Sequence, residues 1–196
     1  RARGMDDGAR GAVIRALVGD RSNRRHKPGR AMERVSYRFD VVCDFGAFRD
    51  LQRHRLLTIE WQRLGTRLGH DVPPDIAEAG LARVWAETMA EAGHLYERLR
   101  AEVGPDIAQY VVPFAFNVRF VMEMNAREAF HLLELRSQPA GHPAYRRVAQ
   151  EMHRQIAEVA GHRGIAEAMS FVDHSSVELE RLDAERRAEQ RRNTSD

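Results

Sequence analysis

The sequence predicts an α+β fold, an antiparallel or mixed sheet packed with long helices. Two patterns carry that reading: apolar and polar residues alternate from Val35, and apolar residues recur at three- and four-residue spacing in several later segments. Apolar residues make up 43% of the 196, enough for a real core, and the 31% that are charged imply a heavily charged surface. One domain is expected over residues 31–172, between a basic N-terminal segment with a short helix at 1–30 and a charged C-terminal helix or tail at 173–196.

Taken in order, the N-terminal segment has one short helical pattern through Val13, Ile14, Leu17 and Val18. The run from Arg21 to Arg30 reads first as a solvated linker and second as a phosphate-contacting arm. Val35, Tyr37 and Phe39 then alternate with Ser36, Arg38 and Asp40 and lead into Val41, Val42 and Cys43, a strand with one buried face. Asp44 is a natural N-cap for a helix over Phe45 to Arg55. A longer helix is expected from Asp75 to Val103, with Leu81, Val84, Trp85, Met89, Ala92, Leu95 and Leu99 on one side, ended by Gly104-Pro105. Tyr110 to Met124 is β-rich and apolar, and Pro113 marks its first part as loop or edge. Asn125 opens a helix through Leu135 with Ala126, Phe130 and Leu133 as its apolar stripe. Beyond a loop at Gln138 to Pro143, a helix from Ala144 carries Val148, Met152, Ile156 and Val159 on one face. Ser176 to Arg192 reads as an exposed helix supported by pairs such as Asp183 with Arg187.

Composition narrows the function. Basic and acidic residues number 31 and 29, and a net charge of +2 makes no case for bulk attraction to nucleic acid. No run of 18 apolar residues and no signal-peptide pattern is found, so a cytoplasmic protein with no membrane partner is expected. Cys43, the sole cysteine, allows no internal disulfide and reads as core. His142, His153, His162 and His174 lack metal-ligand spacing, and no metal site is expected. No nucleophile elbow, Walker loop or dinucleotide fingerprint is found. The chain opens on Arg1 rather than methionine, which gives the expectation of a piece of something longer.

Two segments concentrate groups able to do chemistry. Arg53-His54-Arg55 reads as a solvated helix end, favourable to the dipole, or as three groups fanned around a bound anion. Asn125-Ala126-Arg127, His131 and Arg136 lie along one helix, with Arg127 and His131 four apart on one face. Each has a plain structural role, Asn125 as N-cap and Arg136 as a C-terminal cation; together they offer donors for a phosphorylated ligand.

These segments, in this order and separation, resemble flavin-dependent thymidylate synthases. That family carries R-H-R-x-x-S-x-x-x-x-S-x-R, against Arg53-His54-Arg55-Leu56-Leu57-Thr58 here, and an N-x-R helix ending in Leu-Arg, against Asn125 to Arg136. The stretch Gly29 to Val42 is also similar to the family's strand leading into the first motif. The likeness covers about residues 29–160 and implies an α+β thymidylate synthase-like domain, the later of two in a longer chain. Thr58 stands for the first motif serine; strict spacing gives Arg63 and Gly65 at the second serine and last arginine, and a two-residue insertion brings in Arg67 instead. Arg34 stands where the family usually has histidine.

The resemblance implies an enzyme that reductively methylates dUMP to dTMP with FAD, methylenetetrahydrofolate and NADPH, working as a homotetramer or paired with a second like domain. It implies that Arg53, His54, Arg55, Asn125, Arg127 and His131 hold FAD, that Arg67 and Arg136 bind dUMP, and that Arg136 is the catalytic residue beside the pyrimidine. The motif departures keep a second expectation open, a degenerate copy serving in assembly or nucleotide binding. A nucleic-acid-binding module is the third and matches no motif.

Overall fold

The computed structural model describes residues 4–175 together with Arg186 and Gln190; most of the expected C-terminal helix, with its Asp183–Arg187 pair, lies outside the described residues. The chain forms two compact units. One comprises the residues up to Phe39, His54–Thr58 and those from Glu123 onward; the other comprises Asp40–Arg53 and Ile59–Met122.

Three strands, β1 (Ser36–Asp44), β2 (Thr58–Trp61) and β3 (Asn117–Asn125), form one small antiparallel sheet in the order β1-β3-β2. Ala126 donates to the Val35 carbonyl at one end of the β1–β3 ladder and Phe45 to the Phe116 carbonyl at the other, so the two strands run in opposite directions. The expected alternation is present: Tyr37 and Phe39 are buried in β1 and Val118, Phe120, Met122 and Met124 in β3. On the other face Arg38 pairs with Glu123 at 2.7 Å and Arg119 with Asp40 at 2.5 Å, cross-strand pairs that favour this register.

In the first unit, helix α1 (Asp7–Val18) is capped by Asp6, whose carboxylate accepts from Ala9. The chain then returns so closely that a Cβ on Gly29 would stand 2.2 Å from the Leu17 carbonyl oxygen, which leaves glycine as the residue that fits. A 3-10 turn at Arg30–Arg34 follows. After β3 come α6 (Ala126–Arg136), α7 (Pro143–Glu158) and α8 (Arg163–Ala168), with α6 against α7 and α7 against α8. Phe130, Leu132, Leu133 and Ile156 are fully buried there.

In the second unit, Asp44 caps α2 (Phe45–Leu51) by accepting from Ala47, as expected, but this helix ends at Leu51 rather than Arg55. Phe48 and Phe120 pack with ring centroids 4.8 Å apart. The expected helix over 75–103 is two helices, α3 (Pro74–Glu78) and α4 (Ala82–Glu102). Gly80, at φ +72°, is the cause: its N–H bonds to Ala77 and that of Leu81 to Ile76, the reverse turn that closes a helix C-terminus. The apolar stripe is correspondingly shorter. Met89 and Tyr96 join Ala108, Val112 and Phe116 in the core, with Trp85, Ala92 and Leu99 against it, while Leu81 and Val84 are exposed. The short α5 (Pro105–Ala108) and a 3-10 turn at Gln109–Val111 precede β3, so Pro113 falls in a loop as expected.

Phe120→Ala, at a residue 1% exposed, should cost about 3–5 kcal/mol, whereas Leu56→Ala, at a residue 76% exposed, should stay within about 0.5 kcal/mol. Urea unfolding of the two variants checks the contrast, and equal losses would contradict this description of the core.

Candidate functional site

Helix α6 begins where β3 ends because Asn125 caps it, its side-chain oxygen accepting from the Glu128 N–H at 2.9 Å. The cap fixes the first turn, and with it the positions of Arg127 and Glu128. Glu128 and His131 are three residues apart and therefore neighbours on the helix surface. Arg136 lies in the last turn, where the helix dipole favours a cation.

Into this face comes His54. Its side chain is 3% exposed and that of Glu128 is 4% exposed, and its Nδ1 lies 3.1 Å from Glu128 Oε1. Its other nitrogen, Nε2, accepts from Arg136 Nε at 3.0 Å. The Arg136 guanidinium carbon also sits 5.4 Å from the centre of the Tyr145 ring, a cation–π contact. His131 closes the group: its Nδ1 is 3.3 Å from Glu128 Oε1, its ring meets that of His54 edge to face, and its side chain is 58% exposed. Within one unit, therefore, the two motif segments meet through His54, Glu128 and Arg136. The helix-end reading of 53–55 is corrected for His54, which is buried in a polar contact rather than solvated.

The remaining expected residues are dispersed. Arg127 donates to the Pro28 carbonyl and to Glu33 Oε1, each at 3.0 Å. Hydrogen bonds from Arg30, with added attraction from Arg127, hold the Glu33 carboxyl below the usual carboxylate range. Arg55 is exposed. Arg53 belongs to the second unit, where its largely exposed side chain pairs with Asp50 at 3.3 Å. Arg67, also in the second unit and largely exposed, pairs with Glu97 at 3.5 Å.

His142, His153, His162 and His174 lack metal-ligand spacing; a different group, His54, Glu128 and His131, has potential ligand atoms within 4.8 Å of one another. His142 caps α7, His162 bonds to the Tyr37 hydroxyl, and His153 bonds to the Ala166 carbonyl and to His174. Burial pushes the Cys43 thiol up to about 12, which removes it as a thiolate nucleophile near neutral pH.

Sequence reasoning passed over Glu128, whose place beside Arg127 and three before His131 was the available signal. It also passed over Arg21. The run 21–30 was expected to be solvated or phosphate-binding, yet the Arg21 side chain is 4% exposed and pairs through both terminal nitrogens with Glu134. Its guanidinium carbon lies 5.0 Å from the centre of the Phe130 ring and 5.3 Å from that of Phe171. No spacing rule marks a buried ion pair between residues so far apart. Among the described residues no helix is long and apolar enough to cross a membrane.

The profile of a family described as thymidylate synthase complementing protein matches residues 5–161. A UPF0159 protein of Chlamydia muridarum is 41% identical over 89% of this chain, and one of Thermoplasma acidophilum 40% identical over 94%. The chain spans about a third of these relatives, 32% of the first and 37% of the second. A solved structure of the UMP/dUMP methylase PolB from Streptomyces cacaoi, bound with 5-Br dUMP, superposes with a TM-score of 0.64 at 22% identity, covering 85% of this chain and 81% of that one. That likeness shows a shared fold.

The geometry also makes a stability prediction. Arg21→Ala leaves Glu134, at 0% exposure, buried without its cation and should cost about 3–5 kcal/mol. Replacing Glu134 by Leu in the same chain should recover part of the loss in urea unfolding; a single variant with stability like the parent's would contradict the buried pair.

Proposed function

The chain belongs to the thymidylate synthase complementing protein family, and from that membership we propose that it is a ligand-gripping part of a flavin-dependent thymidylate synthase, which methylates dUMP to dTMP reductively with methylenetetrahydrofolate and NADPH. The observation that carries the reading is the meeting of His54 with Glu128 and Arg136, since these come from the two segments that bear the family's motifs.

The donor set suits the ligands. FAD and dUMP both carry phosphate, and a guanidinium presents a planar fork of donors matched to it. Arg55 is exposed, the Arg127 side chain keeps 30% exposure beyond its bonds to Glu33 and Pro28, and the His131 ring is more than half open to solvent. In this reading Arg53, His54, Arg55, Asn125, Arg127 and His131 hold the flavin, His54 by positioning its neighbours and Asn125 by setting the start of α6. Arg67 and Arg136 bind dUMP. Arg136, steadied by His54 and Tyr145, is the catalytic residue in that it favours negative charge developing on the pyrimidine. The bound flavin supplies the electron transfer and the route for the methylene group, and the protein supplies binding and orientation. The same reading has the protein act in the cytoplasm as a homotetramer, or with a second like domain in a longer chain.

A second reading rests on the motif departures, Thr58 for the first serine, Arg63 and Gly65 where strict spacing puts the second serine and last arginine, and Arg34 for histidine. It makes this a degenerate copy that binds nucleotide or assists assembly. Release of tritium from labelled dUMP with NADPH and methylenetetrahydrofolate separates the two, being expected for the enzyme and absent for the degenerate copy.

Flavin absorbance in the purified parent chain is expected. Arg127→Ala should weaken flavin retention and Arg136→Ala should weaken dUMP binding, each by about tenfold or more, the scale of one charge-assisted hydrogen bond. Variants that bind each ligand like the parent would sink the residue assignment.

A further inference from the structure

We infer that Glu128 is a positioning residue: its buried carboxylate fixes the tautomer of His54 and, through that ring, the orientation of the Arg136 guanidinium, a role whose catalytic consequence rests on the function proposed above. The starting point is donor and acceptor chemistry. A guanidinium only donates hydrogen bonds. Arg136 Nε–H is directed at His54 Nε2 at 3.0 Å, so Nε2 must present its lone pair. A neutral ring with that nitrogen unprotonated carries its proton on Nδ1, and Nδ1 lies 3.1 Å from Glu128 Oε1, where an ionised carboxylate accepts. The chain of donation therefore runs one way, from Arg136 to His54 to Glu128, and each hydrogen meets an acceptor.

The opposite tautomer sets two hydrogens against each other at Nε2 and two acceptors against each other at Nδ1. Water is poorly placed to relieve that, because the side chains of His54 and Glu128 are 3% and 4% exposed. Glu128 thus selects the ring state in which Arg136 has an acceptor. The carboxylate is itself held. Its backbone N–H is tied to the Asn125 cap at 2.9 Å, and His131 Nδ1 lies 3.3 Å from Oε1 and 3.4 Å from Oε2. Glu128 and Arg136 stand in the first and last turns of α6, about 12 Å apart along the axis at 1.5 Å per residue, and their long side chains reach the two nitrogens of the one His54 ring.

The same logic counts against reading His54, Glu128 and His131 as a metal centre. A metal on His54 Nδ1 needs that lone pair, which moves the proton to Nε2 and opposes it to the Arg136 donor.

The test uses the full parent chain labelled with nitrogen-15 in histidine and arginine. Long-range proton–nitrogen spectra read the tautomer of each ring, with His54→Gln identifying the His54 signals, and the Arg136 Nε–H resonance reads the guanidinium. In the parent, His54 is expected to show a protonated Nδ1 and a bare Nε2, and Arg136 Nε–H to exchange slowly. Glu128→Ala should scramble the His54 pattern and broaden the Arg136 signal. Glu128→Gln, whose amide oxygen still accepts from Nδ1–H, should keep both, which a role in packing alone does not distinguish from the alanine variant. Should Glu128→Ala fail to fold, Glu128→Asp serves in its place, its shorter side chain withdrawing the acceptor and scrambling the pattern. In calorimetry, dUMP affinity should fall about tenfold in the alanine or aspartate variant and recover with glutamine. A parent His54 protonated on Nε2, a pattern unchanged in Glu128→Ala, or stoichiometric zinc uptake with loss of the Nδ1 proton overturns the inference. A parent chain with the expected spectra that binds no dUMP upholds Glu128's hold on Arg136 and overturns the function proposed for the site instead.

Discussion

A carboxylate taken out of water has to be met by donors, and the donors that meet Glu128 come from its own helix and from a segment 74 residues away. His54 reaches it from the segment that follows α2, His131 from the next turn of its own helix, and Arg136 completes the chain through the far side of the His54 ring. This contact gives the division of the chain physical content. His54–Thr58 belongs to the first unit although the residues on both sides of it belong to the second, and His54 is the buried side chain in that short stretch. The polar contact of His54 joins this five-residue segment to the helix that begins after β3.

The arginines divide by environment into two sorts. Arg21 and Arg146 are buried and fully engaged, Arg21 with Glu134 between two aromatic rings and Arg146 with the Ser137 carbonyl and Asp173. Such cations order the chain, and no buried side-chain nitrogen or oxygen among the described residues lacks a hydrogen-bond partner. Arg53, Arg55 and Arg67 are exposed, where a guanidinium can meet a ligand at little cost in desolvation. Arg127 and Arg136 stand between these extremes, oriented by protein acceptors yet placed along the helix that carries the second motif. The arginines therefore fall into two environments that a count of basic residues merges.

Periodicity and capping were legible because they are local. The alternation around Tyr37 and Phe39, the caps at Asp44 and Asn125, and the loop at Pro113 depend on near neighbours and appear where expected. The break at Gly80 was missed because the apolar stripe continues across it, and stripe continuity outweighed the left-handed turn that a glycine allows. Burial of charge was not legible at all. Nothing local marks Glu128 and Glu134 for burial, since His54 and Arg21, which meet them, lie 74 and 113 residues away. The family resemblance singled out the two segments that meet at His54 without singling out the acidic residue that joins them.

The link between those segments is tested most directly by a double-mutant cycle. The unfolding free energies of the full parent chain, His54→Ala, Arg136→Ala and the double variant measure whether the two side chains act together. Coupling of about 1 kcal/mol or more is expected for a buried, charge-assisted hydrogen bond. Losses that add to within about 0.5 kcal/mol would contradict the convergence of the two segments through His54.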